Sequence, residues 1–284
     1  LQNAVGHEAK VIYAKGSNLD EDATLEAHAT MFGKSLNRDS RSAQALQEEA
    51  LRLARSADVI VAALGESAEM SGESSSRVNL EIPGTQRELL KALINTGKPV
   101  VLVLFTGRPL TLPWESEHVP AIMNVWFGGS EAGDAIADVL FGDVNPSGKL
   151  TTTFPQHVGQ LPMYYAYKNT GRPLAEGKWF SKFRSNYLDV SNEPVYPFGY
   201  GLSYTTFSYG EVTLDKTETT LQDAVTASIE ITNTGKRDGA EVVQLYLRDL
   251  VGSVSRPVKE LKGIQKIFLK AGERKKVSFT ITSN

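Results

Sequence analysis

Cysteine is absent from all 284 residues, which excludes disulfides and every cysteine-ligated zinc or iron–sulfur site. Histidine is scarce: His7, His28, His118 and His157 are the whole set, scattered too widely in sequence to read as a metal-binding motif. Long apolar runs are missing as well, so no segment reads as a membrane span and no membrane partner is expected. Nor does one sign of charge dominate. Lysine and arginine number 30 against 33 acidic residues, a net charge of −3, with no basic block to track a phosphate backbone, so nucleic acid is not an expected partner. Neither Gly-x-Gly-x-x-Gly nor a phosphate-binding Gly-(x)4-Gly-Lys-Ser/Thr occurs, and no Gly-x-Ser-x-Gly offers a seat for a hydrolase serine. The chain opens on Leu1 with no basic stretch leading into an apolar core, so no signal peptide is visible and the sequence reads as a piece of a longer protein.

What is present is an acidic loop in an informative place. The run Ala57 to Leu64 is rich in β-branched residues and too short for a typical helix, which predicts a buried parallel strand. Directly after it, Gly65 to Leu80 carries Glu66, Glu69 and Glu73 among serines and glycines. Residues 83–94 have helical apolar spacing ending at Asn95-Thr96-Gly97, and residues 99–105 form a second apolar run followed by Thr106-Gly107-Arg108-Pro109. A complete βαβ unit is therefore legible, with the acidic loop at the carboxyl end of its first strand. Ligands of open α/β sheets bind at that edge.

The pattern extends in both directions. Lys10 to Ala14 suggests an earlier strand, Ser42 to Arg55 an amphipathic helix, Ala121 to Ser130 a third apolar run closing in glycines, and Glu131 to Phe141 another helix. These alternating elements predict an α/β sandwich domain with a mostly parallel sheet over residues 1–160. Residues 161–205 lose both periods to prolines, glycines and aromatic rings, and read as a linker wrapped on a domain face. From 206 to 284 the period becomes two, with a turn at Asn233-Thr234-Gly235, and about five strands can be counted. That is two short of a seven-stranded β-sandwich, so the second domain reads as incomplete.

Several residues have competing readings. Glu73 alone would pass for a solvated loop acid, and Glu66 could serve as an acid but sits so near the sheet that hydrogen bonding to backbone or positioning of the loop is the better reading. Glu69 has no support beyond its charge. Arg77 could contact a sugar hydroxyl or support the loop, and support is preferred. Trp126 and Phe127 read as core, and Asp134, Asp138 and Asp143 as surface or capping residues.

Gly65-Glu66-(x)6-Glu73-Ser-Ser-Ser-Arg-Val-Asn-Leu80, Gly97-Lys-Pro-Val-Val101 and Gly107-Arg-Pro-Leu110 together resemble glycoside hydrolase family 3. Phe141-Gly-Asp-Val-Asn-Pro-Ser-Gly-Lys-Leu150, Tyr196 to Tyr204 and Ser255-Arg-Pro-Val-Lys-Glu-Leu-Lys-Gly263 extend the resemblance to its periplasmic β-glucosidase-like members. The resemblance implies a parent with an N-terminal (β/α)8-like barrel, a six-stranded α/β sandwich and a fibronectin type III-like domain, of which this chain matches the last two. It implies hydrolysis of terminal β-D-glucosides with retention, in the periplasm or outside the cell, with no cofactor. The substrate would be a β-glucoside oligosaccharide or an aryl glucoside, and β-xylosidase or another exo-glycosidase activity is the alternative within the family. A non-catalytic carbohydrate-binding or scaffold protein is the alternative outside it. By motif position the general acid/base is Glu73, while the aspartate nucleophile belongs to the missing barrel. The isolated chain is then expected to be inactive or nearly so.

Overall fold

Two short helices, α1 (Gln2–Val5) and α2 (Ala23–His28), precede the first long one, α3 (Ala43–Ser56), in a computed structural model that describes residues 1–29, 38–169, 171–175, 177–220 and 222–282. The Ser42 hydroxyl starts α3 by accepting from the Ala45 amide at 3.1 Å, an N-cap, and Leu46, Ala50 and Ala54 are buried on one stripe. The chain then enters β1 (Ile60–Gly65), α4 (Gly84–Ile94), β2 (Val100–Phe105), α5 (Pro113–His118), β3 (Ala121–Asn124) and α6 (Ala132–Phe141). Strands β1, β2 and β3 pair in parallel in that order, with Ile60 opposite Val100 and Val101 opposite Ala121. Central β2 buries Val100, Leu102, Val103 and Leu104, as a strand covered on both faces must.

The predicted βαβ unit is thus present, and its helix and second strand start within a residue of their expected positions. Two expectations fail. Among the described residues the parallel sheet has three strands, not the six that the resemblance implies. Residues 10–14 form no strand: Val11, Ile12 and Tyr13 are exposed, and among the described residues no strand pairs with them.

The chain divides into two compact units, each assembled from separated segments. The first comprises Leu1–Ala137, Phe154–Leu161 and Glu193–Tyr196. Its later segments join through Phe154, only 1% exposed, whose amide donates to the Tyr196 carbonyl at 2.9 Å and whose carbonyl accepts from the Val195 amide at 2.9 Å.

The second unit comprises Asp138–Thr153, Pro162–Asn192 and Pro197–Asn284. Among the described residues it contains β4 (Phe207–Tyr209), β5 (Thr213–Leu214), β6 (Val225–Asn233), β7 (Gly239–Leu247), β8 (Glu260–Leu269) and β9 (Arg274–Ile281), six strands where about five were expected. The brief β4 and β5 are too short to show a period in sequence. All pairings are antiparallel: β6 pairs with β4, β5 and β9, and β7 pairs with β8. Ile231, Val243, Ile267, Leu269 and Val277 from the two sheets form the buried core between them.

Asn233, fully buried where β6 ends, uses its whole side-chain amide. Its Nδ2 donates to the carbonyls of Arg237 (2.8 Å) and Leu269 (3.1 Å), and its Oδ1 accepts from the Thr205 hydroxyl (2.6 Å) and the Gly235 amide (3.1 Å). Asn233→Ala orphans these buried groups, so we expect a loss of about 2 kcal/mol in chemical denaturation. Unchanged stability would show that the network contributes nothing.

Candidate active site

The acidic loop leaves β1 through a position that only glycine can occupy. Gly65 has φ of 137°, and a Cβ there would lie 1.8 Å from the Phe105 carbonyl oxygen. Gln86 on α4 completes the strand end: its Oε1 accepts from the Gly65 amide at 2.8 Å, while its Nε2 donates to the carbonyls of Gly65 (2.9 Å) and Leu19 (2.8 Å). The direction in which the loop departs is therefore fixed by β2 and α4 together.

Glu66 comes next and is buried, with its carboxylate wholly occupied. Its Oε1 accepts from Arg77 Nη1 at 2.6 Å and faces Arg108 Nε at 3.4 Å, and its Oε2 accepts from the Thr106 hydroxyl at 2.8 Å. A carboxylate shared by two guanidinium groups and a hydroxyl, with no exposure to water, is committed to structure. This agrees with the loop-positioning reading of Glu66. Arg77 supports the loop rather than pairing with Glu73, since its other terminal nitrogen donates to the Glu81 carbonyl at 3.3 Å.

From Glu66 the chain makes a short 3₁₀ turn, Ala68–Ser71, with half-buried Glu69 on it and Met70 pointing into the core. A tight turn follows, in which the Ser75 amide donates to the Gly72 carbonyl at 3.2 Å. Glu73 and Ser74 are its two central residues. Glu73 is exposed at the tip, and Ser74 has φ of 61°, in the left-handed region that turns of this kind usually give to glycine or asparagine. A non-glycine residue held there costs on the order of 1–3 kcal/mol and persists only where its surroundings enforce it. The returning leg is anchored by buried Leu80 and Ile82, with the Leu80 carbonyl accepting from the Thr111 amide at 2.8 Å.

The loop rests on the segment that leaves β2. A Cβ on Gly107 would lie 2.0 Å from the Ser71 hydroxyl oxygen and 2.8 Å from the Phe127 ring. Arg108 reaches the loop backbone through Nη2, which donates to the carbonyls of Met70 and Ser75, the latter at 2.7 Å. Thr106 and Arg108 escape a reading based on acidic residues alone. Their one visible signal is that Thr106-Gly107-Arg108-Pro109 also follows directly on a predicted strand.

Beyond β3, Trp126 is half-buried with φ of 51°, its ring 5.9 Å from that of Phe154, whereas Phe127 is 43% exposed. Phe127 is thus no core residue, contrary to its expected place. Asp134, Asp138 and Asp143 are exposed on α6 and the turn after it. Among the described residues there is no group of three or more histidine, cysteine, aspartate or glutamate side chains that could hold a metal ion, and no helix is long and apolar enough to cross a membrane.

Comparison with known proteins places this geometry in a family. Residues 3–204 match the glycosyl hydrolase family 3 C-terminal domain, and residues 241–284 match a fibronectin type III-like domain. The chain is 54% identical over 99% of its length to the periplasmic β-glucosidase of Salmonella typhimurium, covering 37% of that protein. It is 42% identical over 99% of its length to a β-xylosidase of Formosa agariphila, covering 35% of it. The structure of a β-glucosidase from Listeria innocua in complex with glucose superposes with a TM-score of 0.81 at 43% identity, over 86% of this chain and 34% of that one. The chain thus spans about a third of the length of these relatives. It belongs to glycoside hydrolase family 3, of which it carries the C-terminal α/β domain followed by a fibronectin type III-like domain.

Proposed function

We propose that this chain is the C-terminal portion of a retaining, exo-acting β-glucosidase that hydrolyses terminal β-D-glucosides. Glu73 is its general acid/base, and the aspartate nucleophile lies in an N-terminal barrel domain outside this chain. The observation that carries the reading is the division of labour between two glutamates of one loop: Glu66 is buried and consumed by ion pairs, while Glu73 stands exposed at the tip. Residues 1–160 and 206–284 serve as its α/β and fibronectin type III-like domains, with 161–205 as the connection.

Retaining hydrolysis needs two carboxyl groups about 5–5.5 Å apart, one to attack and one to move a proton. The barrel aspartate attacks the anomeric carbon as the glycosidic C–O bond breaks, and the proton of Glu73 goes to the departing oxygen. Glu73, now a carboxylate, takes a proton from water as that water's oxygen attacks the anomeric carbon and the sugar–aspartate ester opens. Glucose leaves with its configuration retained, and no cofactor takes part.

The substrate is a β-glucoside oligosaccharide or aryl glucoside, and the Salmonella relative favours a periplasmic or secreted location. Terminal β-xylosides are the second reading, favoured by the Formosa relative.

The test is hydrolysis of an activated aryl β-glucoside by the purified 284-residue chain and by the full-length protein, with melting curves on the same samples. The chain alone is expected to melt cooperatively and release no aryl alcohol, while the full-length protein turns over. Turnover by the chain alone that disappears in Glu73→Ala would place a nucleophile within these residues and overturn the assignment to a missing barrel.

A further inference from the structure

We propose that Arg108 is a positioning residue for Glu73, acting through the loop backbone rather than on the substrate. The inference rests on the reading of Glu73 as the acid/base. One nitrogen of Arg108, Nη2, donates to two carbonyls, Met70 and Ser75, which flank the four residues that carry Glu73 at the tip. That nitrogen has two hydrogens, so it serves both acceptors and ties the neck of the loop shut. The bonds are charge-assisted, and the stronger for it.

The remainder of the tip is loosely held. The Gly72 amide reaches the Glu69 carbonyl at 3.4 Å, the Ser75 amide reaches the Gly72 carbonyl at 3.2 Å, and the Ser75 hydroxyl reaches the Glu73 carbonyl at 3.4 Å. These bonds are long for a turn with a left-handed serine at its centre. The clamp at the neck supplies what they do not.

The direction of the clamp is set in turn by Glu66. Arg108 Nε lies 3.4 Å from Glu66 Oε1, an ion-pair approach that makes no hydrogen bond, so the buried carboxylate attracts one edge of the guanidinium while Nη2 meets the loop at the other. A lysine at this position could meet Glu66 or the carbonyls, but its single ammonium lacks the planar fork that meets both. Gly107 lets the loop settle directly onto the backbone beside Arg108, because any side chain there would strike Ser71.

Proton transfer to a leaving oxygen requires the donor within about 2.6–3.2 Å, and a displacement of about 1 Å can cost about 100-fold in rate. Releasing the neck should therefore weaken protonation more than binding.

The experiment compares Arg108→Met, Arg108→Lys and Glu73→Ala in the full-length protein. It measures kcat and KM for aryl and alkyl glucosides of graded leaving-group acidity, with a melting curve for each variant. Arg108→Met is expected to lower kcat/KM for poor leaving groups by about 10- to 100-fold, chiefly in kcat, with much less loss for a dinitrophenyl glucoside, and Arg108→Lys should not restore it. If the methionine variant does not fold, the lysine variant, which keeps a charge opposite Glu66, decides. A loss that is uniform across leaving groups, or full activity in a folded Arg108→Lys, overturns the proposal while leaving Glu73 untouched. A Glu73→Ala series that is flat in leaving-group acidity sinks both readings.

Discussion

Glu73→Ala in the full-length protein is expected to lower kcat/KM for alkyl and oligosaccharide glucosides by about 10²–10⁴-fold, the usual contribution of a positioned acid/base. A dinitrophenyl glucoside should lose far less in that constant, because its leaving group departs as a stable anion and needs no proton. The second half of the cycle still needs a base to activate water, so with the activated substrate kcat should fall while KM falls with it, as the sugar–enzyme ester accumulates. Azide, an anion that attacks without deprotonation, should then raise turnover and yield a β-glucosyl azide. Steady-state kinetics on the two substrate types, with product analysis in azide, checks all of this. Equal losses on both substrates, or no effect of azide, would count against an acid/base role.

Glu66 should behave in the opposite way, losing stability first. Glu66→Ala removes the one carboxylate that, among the described residues, Arg77 and Arg108 share, and leaves the Thr106 hydroxyl only the Arg108 carbonyl, at 2.5 Å, as acceptor. Breaking a buried ion pair from one side costs about 3–5 kcal/mol, because the partner charges stay behind in a poor solvent. The loss should appear as a lower denaturant midpoint, with the slope of the transition unchanged. Glu66→Gln keeps the shape and an oxygen for Arg77 and should lose less. Glu73→Ala, at an exposed tip, should melt like the parent. Wild-type stability in Glu66→Ala would mean that the cluster does not hold the loop.

Much of this arrangement is legible in the amino-acid sequence. The β-branched run before Gly65, the helical spacing of residues 84–94 and the apolar run of β2 carry the βαβ unit, because burial on both faces of a parallel strand leaves a signature in residue type alone. That placed the acidic loop at the right edge of the sheet. The three-residue run Val11-Ile12-Tyr13 shows the limit of the same logic, since a strand also requires a neighbour to pair with and composition is silent about neighbours.

The site divides in the same manner. Glu66 is legible by its closeness to the strand, whereas the role proposed for Glu73 rests on the resemblance of its loop to glycoside hydrolase family 3. The grip of Arg108 is invisible in sequence, because its targets are main-chain carbonyls 38 and 33 positions away, and any residue type would supply those. Gly65 is legible as a turn glycine, but the reason no other residue fits is an oxygen atom of Phe105 on the neighbouring strand.

The interleaving of the two units bears on how the protein can be taken apart. The polypeptide passes from one unit to the other after Ala137, Thr153, Leu161, Asn192 and Tyr196. No single cleavage therefore releases either unit whole. A product ending at Leu161 keeps Phe154 but forfeits the Val195 amide and Tyr196 carbonyl that pair with it. A nick in the intervening stretch would leave the segments of each unit divided between two pieces. Limited proteolysis should accordingly cut covalent bonds well before it separates fragments, and expressing the second unit by itself would require stitching three stretches of chain rather than choosing a boundary.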